Sequence, residues 1–251
     1  MTIKVGRISY LNYEPFYFDM ERRGIQLCNH VPSTLASAVR EGKIDAGPVP
    51  LADSFRLEEL SHPVAGFCLA VIDMAGSSIL YSKLPIQELG GVPIGVAVEA
   101  DTSKELLQIL LSLKYQVPMG QFVNLEDTPD AFLLTGDQAL RRRRGVRGYP
   151  NRYDLGEEWH KWTGLPFVFS RWMARNDMSS KDAALLEDTL YVGLEDGVDG
   201  LYHLSEPREN LLMLAKDIME YIQGIRYFMG MSEQKSVELF RQYFSQINGA
   251  S

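Results

Sequence analysis

Apolar and polar positions follow two different periods along this chain, and the two periods alternate. The opening stretch IKVGRISYLN alternates apolar and polar residues, which predicts a β-strand. A helix is then expected to open at Pro15 and to close in the Gly24 region. Next, CNHVPSTLASAVREGKIDAGPVP predicts a short helix, capped by Ser33 or Thr34 and ending near Gly42, and then a short strand. This order predicts an α/β protein with a parallel or mixed sheet.

The same order returns in the middle of the chain. Val96–Val98 form a predicted strand, and Thr102 and Ser103 stand at the start of the leucine-rich helix that follows. The stretches QFVNL and DAFLLTGDQAL predict two short strands, the second of which stops at Gly136–Asp137, where another helix begins. Toward the end of the chain, the periodicity predicts three amphipathic helices, at residues 182–196, 208–228 and 232–246.

A further apolar strand, within TGLPFVFSRW, comes late in the chain, after the polar stretch YDLGEEWHKW. A late strand of this kind is typical of a two-lobed protein whose first lobe is completed by the C-terminal segment. We therefore predict a first lobe from 1–90 with 166–251 and a second lobe from 91–165. In such α/β architectures a ligand binds in the cleft between the lobes, near the carboxyl ends of strands and the N-termini of helices.

Composition and charge exclude some classes of protein. The formal net charge of −8 argues against a general nucleic-acid binder, because phosphate binding needs a basic face. The one basic run, Arg141–Arg144, is expected to be a solvated helix end or loop. No apolar stretch is long enough to span a bilayer, and the N-terminus lacks the apolar core of a secretory signal. The sequence therefore predicts a cytoplasmic protein without membrane insertion.

The cysteines and histidines do not predict a metal site. Cys28 and Cys68 have no paired metal-ligand spacing, and two unreacted thiols are a simpler interpretation than one disulfide. The four histidines are scattered along the chain, with no HExxH motif and no HxH pair. There is also no glycine-rich dinucleotide fingerprint.

Several stretches, in order and at matching spacings, carry a resemblance to a known family. They are ISYLNYEPF, GKIDAGPVP, SILYSKLPI, DTSKELLQILL, FLLTGDQAL and YDLGEEWHKWTGLPFVFSRW. Together they resemble the chorismate dehydratase family of the futalosine route to menaquinone, over nearly the whole chain. The resemblance implies an α/β, two-lobed type II periplasmic-binding-protein-like fold with a ligand cleft between the lobes. It also implies a cytoplasmic hydro-lyase that converts chorismate to 3-(1-carboxyvinyloxy)benzoate with no metal or organic cofactor.

The resemblance also implies roles for individual residues. Asn12 of SYLN matches the family's proposed catalytic asparagine, and Ser77 matches a serine that reaches the ligand. Thr102 and Ser103 match a pair at a helix N-terminus expected to hold a carboxylate. Gly136 and Asp137 of the GDxAL block complete the predicted substrate-binding residues.

The chemistry of these residue types agrees with such roles. Chorismate carries two carboxylates, and a helix N-terminus with free amides and hydroxyls is a good anion receptor. A neutral amide such as that of Asn12 is not a strong base. It could orient a hydroxyl or polarise a leaving group while a substrate carboxylate removes the proton. Aromatisation of the ring supplies much of the driving force.

Each of these residues also has a purely structural interpretation. Asn12 could make an Asx turn, and Thr102, Ser103 and Asp137 could serve only to cap helices. The large aromatic residues near the late strand are expected in the core and at the lobe interface.

The motifs depart from the family in three stretches: residues 12–16 read NYEPF where the family has NTxPL, residues 73–77 read DMAGS where it has GPV before the serine, and residues 100–103 read ADTS where it has SRTS. The last change bears most directly on the ligand. Asp101 stands where the family carries a cation, and an unpaired carboxylate there would repel a bound carboxylate. Either Asp101 points away from the site or the ligand is not chorismate. The alternatives are therefore a related enzyme acting on another small carboxylate, or a non-catalytic solute-binding or sensing protein of the same fold. The partner expected in each case is a small carboxylate. The sequence does not predict an oligomeric state.

Overall fold

The computed structural model describes residues 2–97, 102–127, 129–204 and 206–249, and the chain folds into two compact units. The first unit comprises Met1–Ala70 and Val168–Gly230, and the second comprises Val71–Phe167 and Met231–Ser251.

The regular elements alternate along the described residues. The strands are β1 (Lys4–Arg7), β2 (Gln26–Asn29), β3 (Ala46–Pro50), β4 (Ser61–Val71), β5 (Ser78–Ser82), β6 (Ile94–Val96), β7 (Phe122–Asn124), β8 (Ala131–Thr135), β9 (Asn151–Asp154), β10 (Phe167–Arg175) and β11 (Ile225–Phe228). The α-helices are α1 (Pro32–Arg40), α2 (Leu51–Phe55), α3 (Thr102–Ile109), α4 (Gly136–Arg142), α5 (Leu155–Thr163), α6 (Ser180–Tyr202), α7 (Ala215–Gln223) and α8 (Met231–Asn248).

The first unit is built on a sheet whose described strands have the order β11-β4-β10-β3-β1-β2. Strand β1 runs parallel to β2 and β3, and β10 runs antiparallel to β3, with Trp172 opposite Pro48. The strand predicted late in the sequence is therefore β10, a central strand of this sheet. A central position explains its long apolar run, because both of its faces are covered.

Aromatic packing fixes the segment that follows β1. Residues Leu11–Tyr17 form a 3-10 helix, in which the ring of Phe16 packs edge-on against Trp172 at 5.4 Å and against Tyr227 at 5.2 Å between centroids. The Tyr13 hydroxyl donates to Ser170 Oγ at 2.9 Å. These three contacts tie the short helix to the sheet through β10 and β11.

The second unit is built on a sheet whose described strands have the order β7-β6-β8-β5-β9. Strand β5 runs antiparallel to both β8 and β9, while β6 runs parallel to β7 and β8. All five residues of β5 are buried. The two sheets confirm the predicted α/β fold with two lobes.

Helix α8 belongs to the second unit because of its contacts with α5. Trp159 is fully buried, and its indole N–H donates to Ser236 Oγ at 3.1 Å. Its ring also packs against Phe167 and Phe240. The predicted lobes, 1–90 with 166–251 and 91–165, had assigned segments 71–90 and 231–251 to the first lobe. That assignment, like the cleft, stays a prediction.

The structure differs from the predicted elements in four places. The predicted helix over 208–228 is wrong: α7 covers only Ala215–Gln223, and β11 follows it as an edge strand with alternating burial. The segment at Pro15 is a 3-10 helix. Helix α1 has Pro32 in its first turn and Val31 as its N-cap, so neither Ser33 nor Thr34 caps it. Strand β6 ends at Val96, and Val98 lies outside the described residues.

Among the described residues, no helix has the length and apolar composition needed to cross a membrane.

Candidate functional site

Asn12 is a buried residue of the first unit, and the oxygen of its side-chain amide is unsatisfied. It lies at the second position of the 3-10 helix after β1, with 6% of its surface exposed. Its Oδ1 is buried and has no hydrogen-bond partner among the described residues. An Asx turn would use this oxygen to accept a nearby backbone N–H. Asn12 Oδ1 therefore does not make an Asx turn with the described residues, and it remains a buried acceptor without a partner, which is costly.

Helix α6 holds the segment of Asn12 from the other side. A Cβ at Gly197 would lie 2.6 Å from the Pro15 carbonyl oxygen, so only glycine permits this approach of the two backbones. The position of Asn12 therefore depends on residues nearly two hundred positions away in the sequence.

Ser77 lies at the end of a tight turn that enters β5 in the second unit. Its side chain is half-buried, and its Oγ donates to the Ala75 carbonyl at 3.3 Å. Its own carbonyl accepts the Gly136 N–H at 2.8 Å. The next residue, Ser78, is buried opposite Thr135, and its Oγ has no partner among the described residues. The structure thus brings Ser77 and Gly136 together and adds Ser78, which the sequence motifs did not single out.

Gly136 and Asp137 open helix α4. Gly136 is buried with φ of +56°, a left-handed conformation that favours glycine. The N-cap is Thr135, so Asp137 is a half-buried residue of the first turn rather than the cap. An acidic residue there is stabilised by the helix dipole.

Asp154 holds the turn that carries Ser77. Its Oδ1 accepts the Ala75 N–H at 2.8 Å, and its Oδ2 accepts the Gly76 N–H at 2.6 Å. Oδ1 also caps α5 by accepting the N–H groups of Gly156 at 3.0 Å and Glu157 at 3.2 Å. Burial raises the pKa of Asp154, and its backbone hydrogen bonds oppose that rise.

Gly156 lets α5 approach the same turn. A Cβ at this position would lie 2.9 Å from the Ala75 nitrogen and 3.0 Å from the Asp73 oxygen. Asp154 and Gly156 of the YDLG stretch thus hold the turn that precedes Ser77. In the sequence, Asp154 is followed three residues later by Glu157, a spacing that indicates a helix cap. The spacing does not show that the cap residue also binds a distant turn.

Thr102 and Ser103 form the start of α3, and both are buried, with 3% and 7% exposed. Asp101, the acidic residue expected to repel a bound carboxylate, lies outside the described residues. What the structure shows at the start of α3 is a buried pair of residues with hydroxyl side chains.

The far end of α3 is fixed by a partly buried ionic cluster. A π-helical segment, Leu110–Lys114, follows α3, and Lys114 Nζ donates to Glu158 Oε2 at 2.5 Å and to the Glu158 carbonyl at 2.8 Å. The Tyr115 hydroxyl donates to the same carboxylate. Since Glu158 lies on α5, the helix capped by Asp154 also anchors the helix that carries Thr102. The two predicted binding elements of this unit therefore share one support.

Neither cysteine is in a disulfide: Cys28 and Cys68 are free thiols. Within the described residues, no three His, Cys, Asp or Glu side chains are grouped as metal ligands.

Comparison with known proteins identifies the family. A family model described as menaquinone biosynthesis matches residues 3–246. This chain belongs to that family. The chorismate dehydratase of Thermus thermophilus is 22% identical over 258 residues, covering 95% of this chain and 93% of that protein. The family predicted from the sequence motifs is thereby confirmed.

Solved structures confirm the fold. A protein from Archaeoglobus fulgidus matches with a TM-score of 0.75 at 14% identity, covering 100% of this chain and 98% of that one. A Candida albicans protein described as having the generic periplasmic binding protein fold matches with a TM-score of 0.60 at 12% identity, covering 100% of this chain and 91% of that one. The predicted type II periplasmic-binding-protein-like fold is confirmed, and at these identities the likeness concerns the fold alone.

Proposed function

We propose that this protein is a cytoplasmic hydro-lyase that dehydrates chorismate to 3-(1-carboxyvinyloxy)benzoate. The observation that carries the proposal is Asn12, which stands at the family's asparagine motif with a buried, unsatisfied amide oxygen. Membership in the menaquinone biosynthesis family and the similarity to a chorismate dehydratase support the same reaction.

The reaction breaks one C–H bond and one C–O bond of the cyclohexadiene ring, and water leaves. Asn12 orients the hydroxyl that departs, because its oxygen accepts from an O–H and its NH2 group donates to an oxygen. A substrate carboxylate takes the ring proton, so the protein itself needs no strong base. Formation of the aromatic ring drives the step, which leaves orientation as the protein's main contribution.

Thr102, Ser103 and Ser77 are the residues proposed to bind carboxylates. The backbone amides and hydroxyls of Thr102 and Ser103 suit a carboxylate, since a helix N-terminus attracts negative charge. Ser77, with Gly136 hydrogen-bonded to its carbonyl, presents a further hydroxyl. Asp137 accepts a substrate hydroxyl rather than contacting a carboxylate, because two carboxylates in contact would repel each other.

The direct test is incubation of the purified protein with chorismate, followed by mass spectrometry. We expect a product lighter than chorismate by one water, with an absorbance spectrum typical of a substituted benzoate. Chorismate that stays intact while raising the melting temperature of the protein would instead support a solute-binding or sensing protein. Turnover of another small carboxylate but not of chorismate would support a related enzyme.

A further inference from the structure

A pocket lies within the first unit, apart from the residues assigned to the reaction. Its volume is about 460 Å³, within the range of roughly 300 to 1,000 Å³ typical of small-molecule sites. It is lined by strand β1, the 3-10 helix, strand β2, the C-terminal half of α6 and the segment that follows it. Asn12 is not among its lining residues.

Arg7, the last residue of β1, is the unusual charge in this pocket. The residue is half-buried, and its Nε is buried with no hydrogen-bond partner among the described residues. Its guanidinium carbon lies 5.9 Å from the centroid of the Tyr17 ring. A partly buried guanidinium with an unsatisfied donor is costly unless an acceptor binds it.

The neighbouring groups do not supply that acceptor. The Tyr17 hydroxyl accepts the Ile8 N–H at 3.0 Å and donates to the Gly6 carbonyl at 3.4 Å. Burial raises the pKa of Tyr17, so its phenol stays neutral and gives Arg7 no counter-charge.

The carboxylates that line the pocket do not supply it either. Glu14 is engaged by Arg208, whose two terminal nitrogens donate to it at 2.8 and 3.5 Å. Glu21 is exposed, where water screens its charge. Arg7 therefore has no ion-pair partner among the described residues, and its Nε–H has no acceptor there.

We propose that this pocket binds a small organic monocarboxylate, with its carboxylate on Arg7. Guanidinium and carboxylate match each other in charge and in planar, two-point hydrogen bonding. The apolar side chains of Leu27, Leu201 and Leu204 line the same pocket and suit a short apolar body. Next to them, a Cβ built on Gly200 meets no atom within 4 Å, so there is open space for that body. The inference does not depend on the proposed reaction.

The test is a calorimetric titration of the full chain with benzoate, and with neutral benzamide as the matched probe. We expect wild-type protein to bind benzoate at least tenfold more tightly than benzamide. Arg7→Met should weaken benzoate binding at this site at least tenfold. Arg22→Met is the control, since the Arg22 side chain is 76% exposed and does not line the pocket, and we expect it to bind as the wild type does.

A second variant separates loss of the ligand from loss of the fold. Gly200→Leu fills the open space while removing a helix-interior glycine, so its melting temperature should equal or exceed that of the wild type. Gly200→Leu should nevertheless lose the one benzoate per chain that Arg7→Met also fails to bind. Thr102→Val should keep that bound benzoate, which distinguishes this pocket from the proposed carboxylate site of the second unit. Benzoate binding that is absent in the wild type, or unchanged in both Arg7→Met and Gly200→Leu, would overturn the proposal.

Discussion

Asn12 is a buried amide whose oxygen the protein itself does not use. A residue kept for structure would gain stability from its hydrogen bonds, whereas this one leaves an acceptor unsatisfied. The local 3-10 backbone is held instead by the aromatic contacts of Phe16 and the hydroxyl of Tyr13. The amide can therefore be changed with little effect on the fold.

Replacing Asn12 by alanine tests its role directly. We expect Asn12→Ala to lower the single-turnover rate on chorismate by roughly 100-fold or more. The free energy of unfolding should change by less than about 1 kcal/mol, because no hydrogen bond of the amide oxygen is lost. Asn210→Ala, at an exposed position, is the matched control. A wild-type rate in Asn12→Ala would exclude Asn12 from the mechanism.

Asn12→Asp keeps the shape of the side chain and adds a negative charge. Because chorismate carries two carboxylates, we expect weaker binding first, seen as a raised KM or Kd in steady-state and equilibrium measurements. A Kd equal to that of the wild type would mean that Asn12 does not lie near the substrate.

At the scale of elements, one carboxylate serves both as a helix cap and as a clamp on a turn. Asp154 accepts two N–H groups from α5 and two from the turn before Ser77. Ser179, by comparison, caps α6 by accepting only the Asp182 N–H, at 3.1 Å. The two residues allow the cap to be tested apart from the clamp.

Ser179→Ala should lower the free energy of unfolding by about 1 kcal/mol, the usual effect of losing an N-cap. Asp154→Ala should lower it by about 2 to 4 kcal/mol, since buried amides of the turn are left unsatisfied as well. Chemical denaturation measures both values. If the turn positions Ser77 for the substrate, Asp154→Ala should also raise KM, whereas Ser179→Ala should not. Equal losses of stability in the two variants would contradict the clamp.

Helix α6 offers a second paired comparison. Gly197→Ala places a Cβ 2.6 Å from the Pro15 carbonyl oxygen and should destabilise the protein by about 1 to 3 kcal/mol. Gly200→Ala, three residues further on, meets no atom within 4 Å and should stabilise it by up to about 1 kcal/mol, because alanine favours helix. Thermal denaturation decides the sign of each change. Stabilisation by both variants would mean that α6 does not need the close approach.

At the scale of the whole molecule, the last helix completes a unit formed mainly by the middle of the chain. Phe240 is fully buried against Trp159 and Phe167. Loss of a buried phenyl group leaves a cavity, so we expect Phe240→Ala to lower the free energy of unfolding by about 3 to 5 kcal/mol. Hydrogen exchange should rise within 71–167 before it rises within 2–70. Gln242→Ala, at an exposed position on the same helix, should change neither measurement. An unchanged exchange rate in 71–167 would contradict this assignment.

The sequence by itself determined the periods of the elements, the family and the candidate residues. Alternation and helix caps are local properties, so they predicted β1, α3 and the late strand β10 from neighbouring residues alone. The helix predicted over 208–228 failed because its apolar spacing did not indicate that residues 225–228 would pair at a sheet edge.

Only the tertiary structure decided which distant groups meet. Segments far apart in the chain meet in three places. Asp154 binds the turn at Ala75, the backbone of Pro15 packs against Gly197, and α8 covers Trp159. No local pattern specifies such pairs, because they depend on how packed elements exclude water and satisfy one another's polar groups. The same reason applies to Asn12: the sequence could name it, but only the folded chain could leave its oxygen without a partner.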